Sequence, residues 1–225
     1  AMASALLIVI GLAFALSVTR SLDRTEARYA LAAYVLHVVS AFGQFVLQEH
    51  YYEGITDART YMETGTLIAR LLEFDLIRFA PEVVRLAFHL DFGLPLDVIG
   101  AGSATGTMSA IGGVLVYFFG PSLLSACLAT TIISWFGQLC LYRVARVEFA
   151  IEERSVVLIG CLLLPSAVFW GAAFSKEGIV MGAFGVLCWS THAFFNRRNV
   201  SAILVAAVSA VSVAGAAWLS RKLSL

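Results

Sequence analysis

Apolar residues run in long blocks broken by short polar connectors, with neither the two-residue alternation of a half-buried strand nor one consistently polar face. Six blocks, residues 3–19, 28–48, 121–145, 155–174, 177–195 and 199–219, come close to the roughly 20 apolar residues that carry a helix across a bilayer. A seventh, 105–120, is short and rich in glycine, and is expected either to cross or to lie at, or re-enter from, the interface. The pattern predicts an all-α, polytopic helical membrane protein with six to seven transmembrane helices, built as a single integral membrane domain over 1–225. The first block lacks a basic flank before it and reads as a retained helix rather than a cleaved leader.

Between the second and third blocks, over 49–104, the pattern changes. In "DARTYMETGTLIARLLEFDLIRFA", Tyr61, Thr64, Ile68, Leu71 or Leu72, Phe74 or Asp75, and Arg78 recur at helical spacing, with charges on another side. This predicts an amphipathic helix along the membrane surface, starting at a Thr56 or Asp57 cap. A second surface helix is expected over "APEVVRLAFHL", with Pro81 in its first turn followed by Glu82. "DFGLPLD" and "GAGSATGTMSAIGG" read as connectors rich in turn residues.

Composition agrees with the blocks. Of 225 residues, 60% are hydrophobic and 13% charged, with a mean hydropathy of +0.88, too apolar for the surface of a soluble domain. Fifteen basic and fifteen acidic residues cancel, which argues against a nucleic-acid partner, since a polyanion needs a basic face. The four cysteines all lie inside apolar blocks without metal-ligand spacing, and the four histidines form no HExxH pattern. His37, in the middle of a block, is expected to pack or to bond a neighbouring helix.

Local charge is more informative. Nine of the fifteen acidic residues fall in 49–104, whereas arginines mark three connectors: Arg20, Arg24 and Arg28; Arg143, Arg146 and Arg154; Arg197 and Arg198. Short cytoplasmic connectors favour such residues. All three share one side only if 105–120 does not cross, and the acidic loop then shares the outer side with the turn at Ser175, Lys176 and Glu177. The preferred arrangement is therefore six crossings with 105–120 at the interface.

Two stretches could carry chemistry. In "LLPSAVFWGAAFSKEGIVMGAFGVLCW", Lys176 and Glu177 would each cost ~3 kcal/mol at the bilayer centre. A tight turn between the blocks 155–174 and 177–195 avoids that cost, leaving two readings: charges resting among headgroups, or Lys176 neutralising a phosphate or carboxylate in the outer compartment. In "EHYYEGITDARTYMETG", Glu53 and Asp57 are four apart, as are Asp57 and Tyr61, so a helix would place them on one face. Paired carboxylates can hold a divalent cation such as Mg or Mn, or split into a base and a partner of raised pKa; acids on an exposed loop can equally be only solvated. Gly112, Gly113, Gly182 and Gly185, and the small residues of 200–217, permit close helix contacts, the latter within this chain or with other membrane subunits.

The order of "DARTYMETG", "YFFGPSLLSACLATTIISWFGQLCLYRVAR" and "LLPSAVFWGAAFSKEGIVMGAFGV" resembles bacterial membrane proteins of the GT-C glycosyltransferase type, related to the dolichyl-phosphate-mannose protein mannosyltransferases. The resemblance covers roughly 50–190, with loosely defined motifs and no paired DxD. It implies an enzyme of the bacterial inner (cytoplasmic) membrane that takes a sugar from a polyprenyl-phosphate donor at the outer face, in contact with membrane lipid. On it, Asp57 matches the acidic residue of the first outer loop, as base for the acceptor or as a metal ligand with Glu53. Lys176 matches the lysine of the next outer turn, facing the donor phosphate, with Glu177, Arg59 and Tyr61 as further substrate-binding candidates. Members of this type usually run longer, and some carry an acidic pair where this chain has a lone aspartate. A second reading therefore stays open: a non-catalytic structural subunit of a larger membrane complex, derived from such a fold.

Overall fold

The computed structural model describes residues 2–52, 56–150 and 153–197, and the described residues are helical without a strand. Helix α1 spans Met2–Thr19, and α2 spans Arg24–Val46 and continues through a π-helical turn over Leu47–Tyr51. The amphipathic pair α3 (Asp57–Phe74) and α4 (Leu76–Ala87) follows, then α5 (Ala104–Phe119) and the long α6 (Leu123–Glu148). The described residues end with α7 (Arg154–Leu162), α8 (Pro165–Gly171) and α9 (Lys176–Arg197).

Five stretches are long and apolar enough to cross a membrane: Met2–Thr19, Arg24–Tyr51, Leu123–Glu148, Arg154–Gly171 and Lys176–Phe195. They coincide with five of the six expected blocks, and the sixth, 199–219, lies outside the described residues. α6 is the central helix and largely buried, with α1, α2, α7 and α9 packed around it. The outer helices leave Leu6, Val9 and Ile10 of α1 and Val35, Val39 and Phe42 of α2 exposed, an apolar surface compatible with a multi-pass membrane protein.

Glycines set the closest crossing. Gly182 and Gly185 of α9 meet Gly137 of α6 backbone to backbone, and a Cβ on Gly185 would fall on the Gly137 carbonyl. This is the small-residue packing that brings helices together where no hydrophobic drive separates lipid from protein. α6 also bonds its neighbours through side chains: Trp135 Nε1 donates to the Ala30 carbonyl at 3.0 Å, and Ser125 shares a 3.0 Å hydrogen bond with Ser4.

These contacts fix the direction of each helix. Ser4 and Ser125 place the starts of α1 and α6 together, while Arg143 near the end of α6 bonds Ser21 at 2.9 Å, just past the end of α1. Arg146 pairs with Glu26 at the start of α2 at 2.8 Å, and His192 near the end of α9 approaches Glu148 to 3.9 Å. The α1–α2 connector, the α6–α7 connector and the end of α9 thus share a basic end. The chain from 52 to 122 leaves α2 and enters α6 at the other end, the loop end. Its lone apolar helix of span-like character, α5, has 16 residues, about 24 Å at 1.5 Å per residue and short of a ~30 Å hydrocarbon core.

α3 buries Tyr61, Thr64, Ile68 and Leu72 on the expected stripe, with the Thr56 hydroxyl accepting the Arg59 N–H at 3.3 Å as N-cap. The stripe does not continue to Phe74, which is 82% exposed. Asp75 breaks the helix in extended backbone and caps α4 by accepting the Arg78 N–H at 3.0 Å. The second surface helix therefore begins at Leu76, and Pro81 sits inside it rather than in its first turn. The proline removes the N–H that would otherwise bond the Ile77 carbonyl one turn back. The block 155–174 is likewise not one straight helix. Pro165 starts α8 after a break at Leu163 and Leu164, and Gln44 Nε2 reaches the Phe169 carbonyl at 3.1 Å, satisfying a group at the end of that short helix.

Candidate functional site

Three helix starts meet at the loop end. α3 supplies Asp57 and Tyr61, α5 supplies Thr105, and α9 supplies Lys176 and Glu177. Local sequence explains each start. Thr56 caps α3, the Ser103 hydroxyl accepts the Thr105 N–H at 3.2 Å, and Ser175 accepts the Gly178 N–H at 3.4 Å. Lys176 and Glu177 therefore open a helix rather than interrupt one.

Tyr61 is the hub. Its hydroxyl donates to Asp57 Oδ2 at 3.4 Å, one helical turn back. The Lys176 ammonium lies 5.8 Å from the centre of its ring, on the opposite helix pair, and Phe174 stands edge-on to the ring with centroids 6.1 Å apart. Gly112 makes this possible: a Cβ there would lie 2.8 Å from the Tyr61 carbonyl, so α5 approaches α3 only without one. Burial, and next the Asp57 carboxylate, push the Tyr61 hydroxyl up to about 12; Glu177 acts the same way, while the Thr105 hydroxyl opposes them. At neutral pH Tyr61 is a neutral donor.

Around this hub Asp57 is exposed, Lys176 half-buried and Glu177 exposed. Lys176 makes no ion pair among the described residues. Placed at the positive end of α9, its charge gains nothing from the helix dipole, unlike that of Glu177. Its ammonium retains hydrogen-bond capacity toward an anion, beside a carboxylate that can accept a proton. The other candidates fall elsewhere. Arg59 turns outward to pair with Glu63 at 3.2 Å on the exposed side of α3, and Glu53 lies outside the described residues.

A divalent cation at Asp57 fits poorly with what surrounds it. Among the described residues no three of His, Cys, Asp and Glu gather, and the neighbours of Asp57 are a phenol that donates to it and, beyond the ring, an ammonium that repels a cation.

Sequence reading did not single out Thr105 or Phe174. Thr105 stands in "GAGSATG", read as a connector leading into the apolar run 105–120 and not as a site residue, although the serine two residues before it is the N-cap signal that starts a helix there. Also unforeseen was the network at the basic end, where Glu26 accepts from Tyr142 at 2.7 Å and Arg146 at 2.8 Å across 116 and 120 residues of sequence. His37 does not reach a neighbouring helix through Nδ1, which bonds the Ala33 carbonyl of its own helix at 2.8 Å. An open hollow of about 500 Å³ near the basic end, lined by Leu187, Cys188, Thr191, His192, Phe195 and Glu148, holds none of the predicted site residues.

No family model, curated protein or solved structure matches this chain.

Proposed function

We propose that the chain is a GT-C-like transferase that moves a sugar from a polyprenyl-phosphate donor at the outer face of the bacterial inner membrane. The observation that carries this reading is the meeting of Lys176 and Asp57 on either side of Tyr61, two groups 119 positions apart in sequence (176 − 57). The residue pattern described above, from "DARTYMETG" to "FSKEG", supports it independently.

In this mechanism Asp57 accepts the proton of an acceptor hydroxyl. The acceptor oxygen attacks the anomeric carbon as the bond from that carbon to the phosphate oxygen breaks, inverting the centre and releasing polyprenyl phosphate. Lys176 meets the negative charge growing on the departing phosphate. Tyr61 donates to Asp57 and offers its ring face to Lys176, so it fixes both without reacting.

The test uses the full chain in lipid vesicles with a polyprenyl-phosphate sugar donor. Asp57→Asn keeps the shape and the bond from Tyr61 but removes the base, and is expected to lower transfer by about 10²-fold or more. Retained transfer in this variant removes Asp57 from the role. Absence of transfer by the wild-type chain, together with stable co-purification of other polypeptides, favours the structural-subunit reading instead.

A further inference from the structure

The basic end carries a second charged cluster that the transferase chemistry does not use. It is built from the end of α6 (Tyr142, Arg143, Arg146), the start of α7 (Arg154) and the start of α2 (Glu26). Glu26, 7% exposed, has both oxygens occupied: one accepts from the Tyr142 hydroxyl, the other from Arg146 Nη1 and, at 3.3 Å, from the Asp23 N–H. Arg143 is spent on the Val18 carbonyl and the Ser21 hydroxyl, where α1 ends.

Arg154 differs from the other two. It lies close enough to Tyr142 for its charge to act on that hydroxyl, as Arg146 does, yet its Nε is buried and bonds no acceptor. The remaining described acids nearby do not meet it: Glu148 is directed to His192, and Asp23 and Glu153 are exposed and form no ion pair among the described residues, while Glu152 lies outside them. A buried donor without an acceptor is rare enough in folded proteins to indicate a missing partner. Three arginines around one fully engaged carboxylate leave the cluster positively charged, which favours an anion as that partner.

The position identifies its kind. Four helix ends, those of α1 and α6 and the starts of α2 and α7, converge here, and if these helices cross a bilayer this is headgroup level. We infer that Arg154, with Arg146, holds the phosphate of an anionic phospholipid headgroup in the leaflet on the basic side. The guanidinium fork matches phosphate oxygens. This assignment rests on the bundle lying in a membrane and not on the transferase reading.

The experiment is native mass spectrometry of the full chain in detergent, titrated with dioleoylphosphatidylglycerol or dioleoylphosphatidylcholine. The wild-type chain is expected to retain the anionic lipid over the zwitterionic one. R154Q is expected to lower retention of the anionic lipid about fivefold, the equivalent of roughly 1 kcal/mol for one basic residue at an anionic leaflet. R59Q, at the loop end, leaves retention unchanged. Should R154Q fail to fold, R154K decides, since it keeps the charge but loses the Nε–H and the fork; a smaller but clear drop supports the site. Equal retention of the two lipids by wild type, or unchanged retention in a folded Arg154 variant, overturns the assignment. Displacement of the lipid by an equal concentration of inorganic phosphate would make the site one for free phosphate and also overturn it.

Discussion

Tyr61 is the side chain through which the charges of the loop end act on one another, and its own proton reports on them. Burial and the adjacent Asp57 carboxylate raise its pKa from about 10, the ordinary value, to about 12. The folded chain therefore holds this proton more tightly than the unfolded chain. Its contribution to stability is complete below about pH 10 and is lost as pH rises toward 12, at most about 1.4 kcal/mol per pH unit. Denaturant titrations in detergent are expected to show a steeper loss of stability across that window for the wild type than for Tyr61→Phe. Parallel curves would mean that the phenol carries no such coupling. Lys176 gives a complementary test. A cation at a helix start costs about 0.3–1 kcal/mol, and its contact with a tyrosine ring returns about 0.5–1 kcal/mol, so the two nearly cancel. Lys176→Gln is expected to leave stability within about 0.5 kcal/mol of wild type while transfer falls; a large loss of stability would instead make Lys176 a structural residue.

At the scale of elements, the α6–α9 crossing is expected to be the least tolerant of added volume. Gly185→Ala places a Cβ against the Gly137 carbonyl and should destabilise by about 1–3 kcal/mol, because two backbones must part to admit it. Gly43 of α2 has no atom within 4 Å of its would-be Cβ, so Gly43→Ala should stabilise by about 0.5–1 kcal/mol through helix propensity alone. Thermal unfolding of both variants in detergent checks the contrast, and equal effects would deny that the crossing is tight. Hydropathy made most of these helices legible in the sequence, since an apolar block needs no knowledge of its neighbours to be recognised. The breaks were harder. Asp75 ends one helix and caps the next because its carboxylate finds the Arg78 N–H, and Pro81 falls inside α4 because that cap starts the helix at Leu76. Both depend on local geometry, which the order of residues does not state. For the site, Lys176 stood out as a charge in an apolar stretch and Asp57 by its spacing to Glu53 and Tyr61, but Thr105 and Phe174 matter only through tertiary contact with Tyr61. Glu26 was equally invisible, its partners lying more than a hundred residues away.

The whole molecule separates two kinds of charge along one axis. Arginines collect where α1 passes to α2 and α6 to α7, while Asp57, Lys176 and Glu177 collect where α3, α5 and α9 begin. Because α2 runs from the first end to the second and α6 runs back, the surface helices and α5 lie at a single end. Basic connectors face the cytoplasm, so the loop end should face outward. The expectation can be checked with single cysteines in a chain whose four native cysteines are replaced, probed in intact cells with a thiol reagent that does not cross membranes. Asp57→Cys and Lys176→Cys should both label from outside, and Ser21→Cys only after the membrane is opened. Lys176→Cys is the discriminating variant, since its accessibility depends on 105–120 not crossing. Labelling of Asp57→Cys alone would put the two charges on opposite faces of the membrane, which their shared contact with Tyr61 does not allow, and both the arrangement of α9 and the proposed transfer site would fall together. Labelling of both from outside leaves the proposed base and the proposed phosphate-facing cation in one compartment, as transfer from a lipid-linked donor would require.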